Sequence, residues 1–161
     1  MDYLLRALRI DSETHDALEV SCGSAHTSKM IAEKYPELKV TASDWSAQML
    51  VTATRVLQSL PEHSRPRVIV ADACALPFLP ESFDVVFSIG GIKHFPDKKR
   101  SVSEMVRVLR KGGRLFVTDL APDPTHEESE SLWAMSKFPH FMWKIVSPKL
   151  FAGSPTNQDL E

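Results

Sequence analysis

The 161-residue chain has a formal net charge of −2, with 43% hydrophobic and 25% charged residues. That length supports one domain with a single core and leaves no room for two. The small net charge argues against a nucleic-acid groove as the main feature, and Lys98-Lys99-Arg100, with no aromatics interleaved, reads as the solvated start of a helix.

Cys22 and Cys74 make neither a disulfide framework nor a metal-ligand spacing, so no metal is expected and both thiols are read as reduced. No apolar run approaches the ~18 residues of a membrane span, and Met1-Asp2-Tyr3 lacks the basic start of an export signal. The expectation is a cytoplasmic protein with no nucleic-acid or membrane partner.

In chain order, short β-rich runs alternate with helical periodicity. Residues 17–22 read as the first strand and 27–35 as the first crossover helix, stopped by Pro36. Residues 38–43 form the second strand. A helix follows over about 46–60, with Ser46 as N-cap; its apolar positions Met49, Leu50, Ala53, Val56, Leu57 and Leu60 keep the helical period up to Pro61. Strands are predicted at 67–71 and 84–89, a helix at about 97–110 with Gly112 as its stop, and a fifth strand at 114–119. Right-handed crossovers then give a doubly wound α/β sheet in the order 3-2-1-4-5, with its ligand crevice between strands one and four.

The first strand carries Glu19 near its end and breaks into the small residues Ser21-Cys22-Gly23-Ser24-Ala25 before a helix. Strand, tight turn and helix N-terminus together let a ligand lie against bare backbone N–H groups. The next two strands also end in acids, Asp44 and Asp72. Three neighbouring carboxylates suit a polyhydroxylated, amine-bearing ligand better than a phosphate. Asp44 lies 25 residues after Glu19, close to the offset of a ribose-binding acid in a βαβ nucleotide site.

These residues resemble the first motif of class I S-adenosylmethionine-dependent methyltransferases, roughly Asp/Glu-x-Gly-x-Gly-x-Gly. Glu19 stands for the acid and Gly23 for the middle glycine, while Ser21 and Ala25 replace the outer two. The similarity runs on through Thr41-Ala-Ser-Asp44-Trp45-Ser46, Ala71-Asp72-Ala73 with Leu76-Pro77-Phe78, Ser82-Phe83-Asp84-Val85-Val86-Phe87-Ser88, and Leu109 to Leu120. It thus covers roughly residues 15 to 120, with five motifs in the expected order.

The resemblance implies a Rossmann-like core over 1–120 that binds S-adenosylmethionine and methylates a small molecule. It places Glu19 at the cofactor's ammonium, Gly23 under its methionine portion, and Asp44 on the ribose hydroxyls. Trp45 would lie against the adenine, and Asp72 and the Ala73 N–H would meet the adenine edge. Ile89 and Gly90 would line the methionine side. His94, after strand four, is the candidate general base; a loop histidine that only packs is its alternative. The cofactor-binding set is therefore Glu19, Ser21, Gly23, Asp44, Trp45, Asp72, Ala73 and Ile89. Ser21 and Ala25 add Cβ atoms where glycines are usual, which penalises positive φ.

Residues 121–161 read as an aromatic helical tail (Leu132, Trp133, Met135, Phe138, Phe141, Met142, Trp143) lacking the family's last two strands. It would serve as a lid or as an oligomer contact. The apolar edge of strand five needs a cover, supplied by the tail or by a second subunit in a homodimer. Two rival readings remain. A nicotinamide dehydrogenase is disfavoured by the missing second and third glycines. A catalytically silent methyltransferase-like scaffold subunit is the rival from another class.

Overall fold

The fold is described from a computed structural model over residues 8–118 and, for the backbone alone, residues 134–137. Its sheet is built from β1 (Asp16–Val20), β2 (Lys39–Asp44), β3 (Arg67–Val70), β4 (Phe83–Ile89), β5 (Leu109–Thr118) and β6 (Ala134–Lys137). The helices are α1 (His26–Lys34), α2 (Ala47–Leu57) and α3 (Lys98–Val108). The first five strands run parallel in the order β3-β2-β1-β4-β5, as the alternating pattern predicts.

Both faces of the sheet are covered, and the pleat sorts side chains between them at period two. Leu18, Val20, Val86, Leu115 and Val117 pack with Met105 and Val108 of α3. Ala17, Val85, Phe87 and Phe116 point the other way, toward Ile31 of α1 and Leu8. A third cluster joins Leu50, Ala53 and Leu57 of α2 to Ala42, Ala32 and Cys22.

Ser46 caps α2 as expected, its hydroxyl accepting from the Met49 N–H at 3.3 Å. The end of α3 departs from the expectation. The helix stops at Val108 and Leu109 is already extended, so Gly112 is not a helix stop. It sits at φ 79° in a register irregularity of β5, where Phe83 pairs with Leu109 but Val85 pairs with Arg114.

The tail holds a second correction. Ala134–Lys137, inside the segment read as helical, is a strand antiparallel to β5, pairing with Arg114–Val117. Ala134-Met-Ser-Lys137 is too short to set a helical or strand period, and over so few residues the backbone bonds offered by an open edge decide. The expected cover of that edge is thus provided, over four residues, by this chain itself. The other tail residues named above lie outside the described residues.

At the N-terminal ends of the strands, Arg110 Nη1 bridges Asp16 (2.9 Å) and Asp84 (2.8 Å). Asp84 Oδ2 also accepts the His15 and Asp16 N–H groups, at 2.9 Å each. The opposite, C-terminal edge carries the turns.

Candidate cofactor-binding site

The β1–α1 turn is shaped by three left-handed residues. Ser21, Gly23 and Ala25 have φ of 62°, 55° and 59°. The two non-glycine positions therefore adopt the conformation that disfavours a Cβ, each by about 1–2 kcal/mol. At Gly23 a side chain would meet only the Met49 Cε, 3.7 Å from an added Cβ. Gly90, with φ 73°, has nothing within 4 Å of such an atom. The surface beside Gly90 is open, while Gly23 lies beneath the flexible end of Met49.

Asp44 is 8% exposed and fastens two turns together. Its Oδ2 accepts the Gly23 N–H and its Oδ1 the Ser46 N–H, both at 2.9 Å. Two bonds leave a carboxylate about two further acceptor sites, so this group can hold the turn and still take hydroxyls. Its main-chain oxygen accepts the Ala71 N–H at 3.0 Å, which brings Asp72 alongside. The exposed Asp72 carboxylate caps its own turn through the Cys74 N–H at 2.8 Å. Arg107 fixes the following loop, donating to the Phe78 and Leu76 carbonyls at 2.8 and 2.9 Å.

Glu19 is 2% exposed and turned into the protein. Its Oε2 accepts from the Ser28 N–H (3.1 Å) and the Ser28 hydroxyl (2.5 Å) in the first turn of α1. Burial, chiefly, and the nearby Asp44 charge raise its pKa to about 7, against hydrogen bonds from Ser28 and Thr27 that lower it. No cation among the described residues pairs with it. Burial, then the Glu19 and Asp44 charges, push the Cys22 thiol well above its ordinary range, so it is not a nucleophile at neutral pH.

The sequence-predicted residues therefore gather on one edge. Glu19, Ser21, Gly23, Asp44, Asp72, Ala73 and Ile89 all lie at or just past the C-terminal ends of β1 to β4. Trp45 is 79% exposed and not a packing tryptophan. His94 is exposed in a short 3-10 turn after β4, its N–H bonded to the Gly91 carbonyl at 3.0 Å. Three participants escaped the sequence reading: Ser28, which receives the buried acid, Met49, which overhangs Gly23, and Ser88. Ser88, in β4, is 0% exposed with a hydroxyl that has no hydrogen-bond partner among the described residues. Only Met49 had a signal, one turn into a helix whose N-cap adjoins Asp44.

An open parallel sheet with acids at successive strand ends and a ligand surface at its topological switch point is the class I methyltransferase architecture. A family profile described as a methyltransferase domain matches residues 18–117. Relatives include a demethylmenaquinone methyltransferase of Thermotoga maritima, 31% identical over 118 residues, covering 73% of this chain and 49% of that protein. An O-methyltransferase of Pyrenophora dematioidea is 32% identical, over 75% of this chain and 46% of its own length. Among solved structures, a Haemonchus contortus phosphoethanolamine N-methyltransferase 2, in complex with phosphomonomethylethanolamine and S-adenosylhomocysteine, superposes with a TM-score of 0.66. It is 27% identical, over 73% of this chain and 27% of that one. This chain belongs to the class I S-adenosylmethionine-dependent methyltransferase family. It spans about half the length of the first two relatives.

Proposed function

We propose that the chain binds S-adenosylmethionine along this edge and transfers its methyl group to a small-molecule acceptor. The observation that carries the reading is what the β1–α1 turn does with its donors. In a dinucleotide site the first turn of the helix offers N–H groups to pyrophosphate. Here the Ser28 N–H and hydroxyl are given to Glu19, a carboxylate of the chain itself. The Ser28 donors are thereby occupied within the chain and not offered to a phosphate, and the Asp44 carboxylate fastened to the same turn favours a ligand carrying positive charge.

The residues fit such a donor. Asp44 keeps acceptor capacity for two ribose hydroxyls. Trp45 offers an exposed ring to adenine, with Asp72 and the Ala73 N–H at the base's polar edge. Ala73 N–H donates to no described residue, which leaves it available to a ring nitrogen. Bound there, the donor supplies an activated methyl on a cationic sulfur. The chain's part is alignment, holding donor and acceptor in line. We assign His94 the proton released by a hydroxyl or amine acceptor. The Thermotoga and Pyrenophora relatives are named for demethylmenaquinone and O-methylation, which supports a small-molecule acceptor. Buried, unpaired Cys22 and Cys74 support a reducing, cytoplasmic setting.

Thermal denaturation separates this reading from a dehydrogenase. S-adenosylhomocysteine at about 100 times its Kd should stabilise the protein by about 2.7 kcal/mol, and NAD at equal concentration should leave it unchanged. Stabilisation by NAD alone would overturn the proposal.

A further inference from the structure

Asp72 and the Ala73 N–H offer an acceptor beside a donor, the complement of adenine's amine and neighbouring ring nitrogen. A base with oxygen in place of that amine, and a protonated ring nitrogen, meets both groups with the wrong polarity. Such a mismatch is costly only where the protein groups cannot swing away. Asp72 closes its turn through its carboxylate on the Cys74 N–H and its carbonyl on the Ala75 N–H, at 2.8 and 3.0 Å. Both bonds are local to the turn, so they shape it without anchoring it to the body of the fold.

The polar anchorage comes from α3. Cys74 Sγ lies 3.1 Å from the Ser101 hydroxyl and 3.5 Å from the Asp97 carbonyl. The Leu76 N–H donates to Glu104 Oε2 at 2.8 Å. Arg107 closes the frame, its Nε and Nη2 donating to the two Glu104 oxygens at 2.7 and 2.8 Å. The same guanidinium reaches the Phe78 and Leu76 carbonyls, 29 and 31 residues away in the chain. Hydrogen bonds from Arg107 hold the Glu104 carboxyl below its ordinary range, so the pair stays ionised at neutral pH. A planar fork with fixed donor directions sets where the loop lies, and not merely that it lies close. We propose that Arg107, with Glu104, is a positioning residue for base selection, holding the Asp72–Ala73 edge where adenine is accepted and its oxo counterpart refused. This rests on the donor reading above, and adds to it a determinant on α3 that acts without touching the ligand.

Calorimetric titration of the full chain with two ligands tests it: S-adenosylhomocysteine, and S-inosylhomocysteine, which carries the oxo base. Wild type should prefer the first at least roughly thirtyfold, as for two mismatched hydrogen bonds. Arg107→Lys keeps the charge but cannot bridge two carbonyls and a carboxylate. Its preference should shrink at least roughly fivefold, mostly through weaker S-adenosylhomocysteine binding. Glu104→Gln keeps one oxygen acceptor and should shift the preference the same way by a smaller factor; it decides the question if Arg107→Lys does not fold. Arg110→Lys disturbs the bridge to Asp16 and Asp84 at the opposite edge. It should lower the melting temperature without moving the preference, which a merely structural role for Arg107 would not distinguish. An unchanged preference in folded Arg107→Lys, an equal shift in Arg110→Lys, or wild type binding both ligands alike would overturn the role of Arg107 while leaving the donor reading intact. Wild-type protein that binds neither ligand would overturn both.

Discussion

Asp44→Ala is expected to weaken S-adenosylhomocysteine binding at least roughly tenfold, or about 1.4 kcal/mol, in calorimetric titration. The same substitution should destabilise the unliganded protein by about 1–3 kcal/mol. Both effects come from one carboxylate with two duties. It accepts the Gly23 and Ser46 N–H groups at 2.9 Å, and these become unpaired donors at a nearly buried site. Its remaining acceptor sites face the proposed ribose hydroxyls. Asp72→Ala separates the duties, since among the described residues that exposed carboxylate receives only the Cys74 N–H. It should lose affinity with much less loss of stability. Full affinity in Asp44→Ala would remove Asp44 from the donor site, whatever its effect on folding.

The double role of Asp44 illustrates what a sequence discloses. Its place at a strand end, and the acids at neighbouring strand ends, follow from period-two alternation and from crossover handedness. Both are local or general rules, so strand order and site edge were legible. The direction in which Glu19 points was not. Nothing in Ala17-Leu-Glu-Val-Ser indicates that its carboxylate turns toward Ser28, nine residues on and in another element. The meeting of Arg107 with Leu76 and Phe78 is hidden for the same reason, since it depends on how a loop packs on α3. The boundary of α3 failed through chemistry: Gly112 looks like a helix terminator, yet Phe83 recruits Leu109 into the sheet earlier. In the tail, the neighbouring strand's open edge outweighed a weak helical period.

The second large effect is a pH dependence of stability set by Glu19. Its pKa rises from 4.5 to about 7 on folding, mainly because burial penalises the charged form. Between those values the folded state binds more protons than the unfolded one, so stability falls as pH rises. Below about pH 4.5 the group is protonated in both states and its stabilising contribution is complete. By about pH 7 and above that contribution is lost, a difference on the order of 3 kcal/mol.

The groups facing Glu19 are Ser28 and Thr27 of α1, Asp44 of β2 and the Cys22 thiol of the turn. None is a cation that would hold it ionised. Glu19→Gln keeps an oxygen for the Ser28 donors and cannot ionise. Urea unfolding of both proteins from pH 4.5 to 8 should show wild type losing about 3 kcal/mol relative to the variant. Parallel profiles would show that Glu19 is already ionised in the free fold. Ionised Glu19 adds negative charge close to Asp44, so affinity for the cationic S-adenosylmethionine should rise over the same pH interval in wild type and stay flat in the variant.

Amide chemical-shift mapping tests the central claim most directly, because it locates the ligand on the chain without assuming an acceptor. Titrating S-adenosylhomocysteine into isotope-labelled protein should move the amides of Gly23, Ser46, Ala73 and Gly90 most. Those of His15, Asp16 and Arg110, at the opposite ends of the strands, should stay still. Shifts concentrated at that opposite end, or none at a saturating concentration, would contradict a donor site at the rim that carries Asp44 and Asp72.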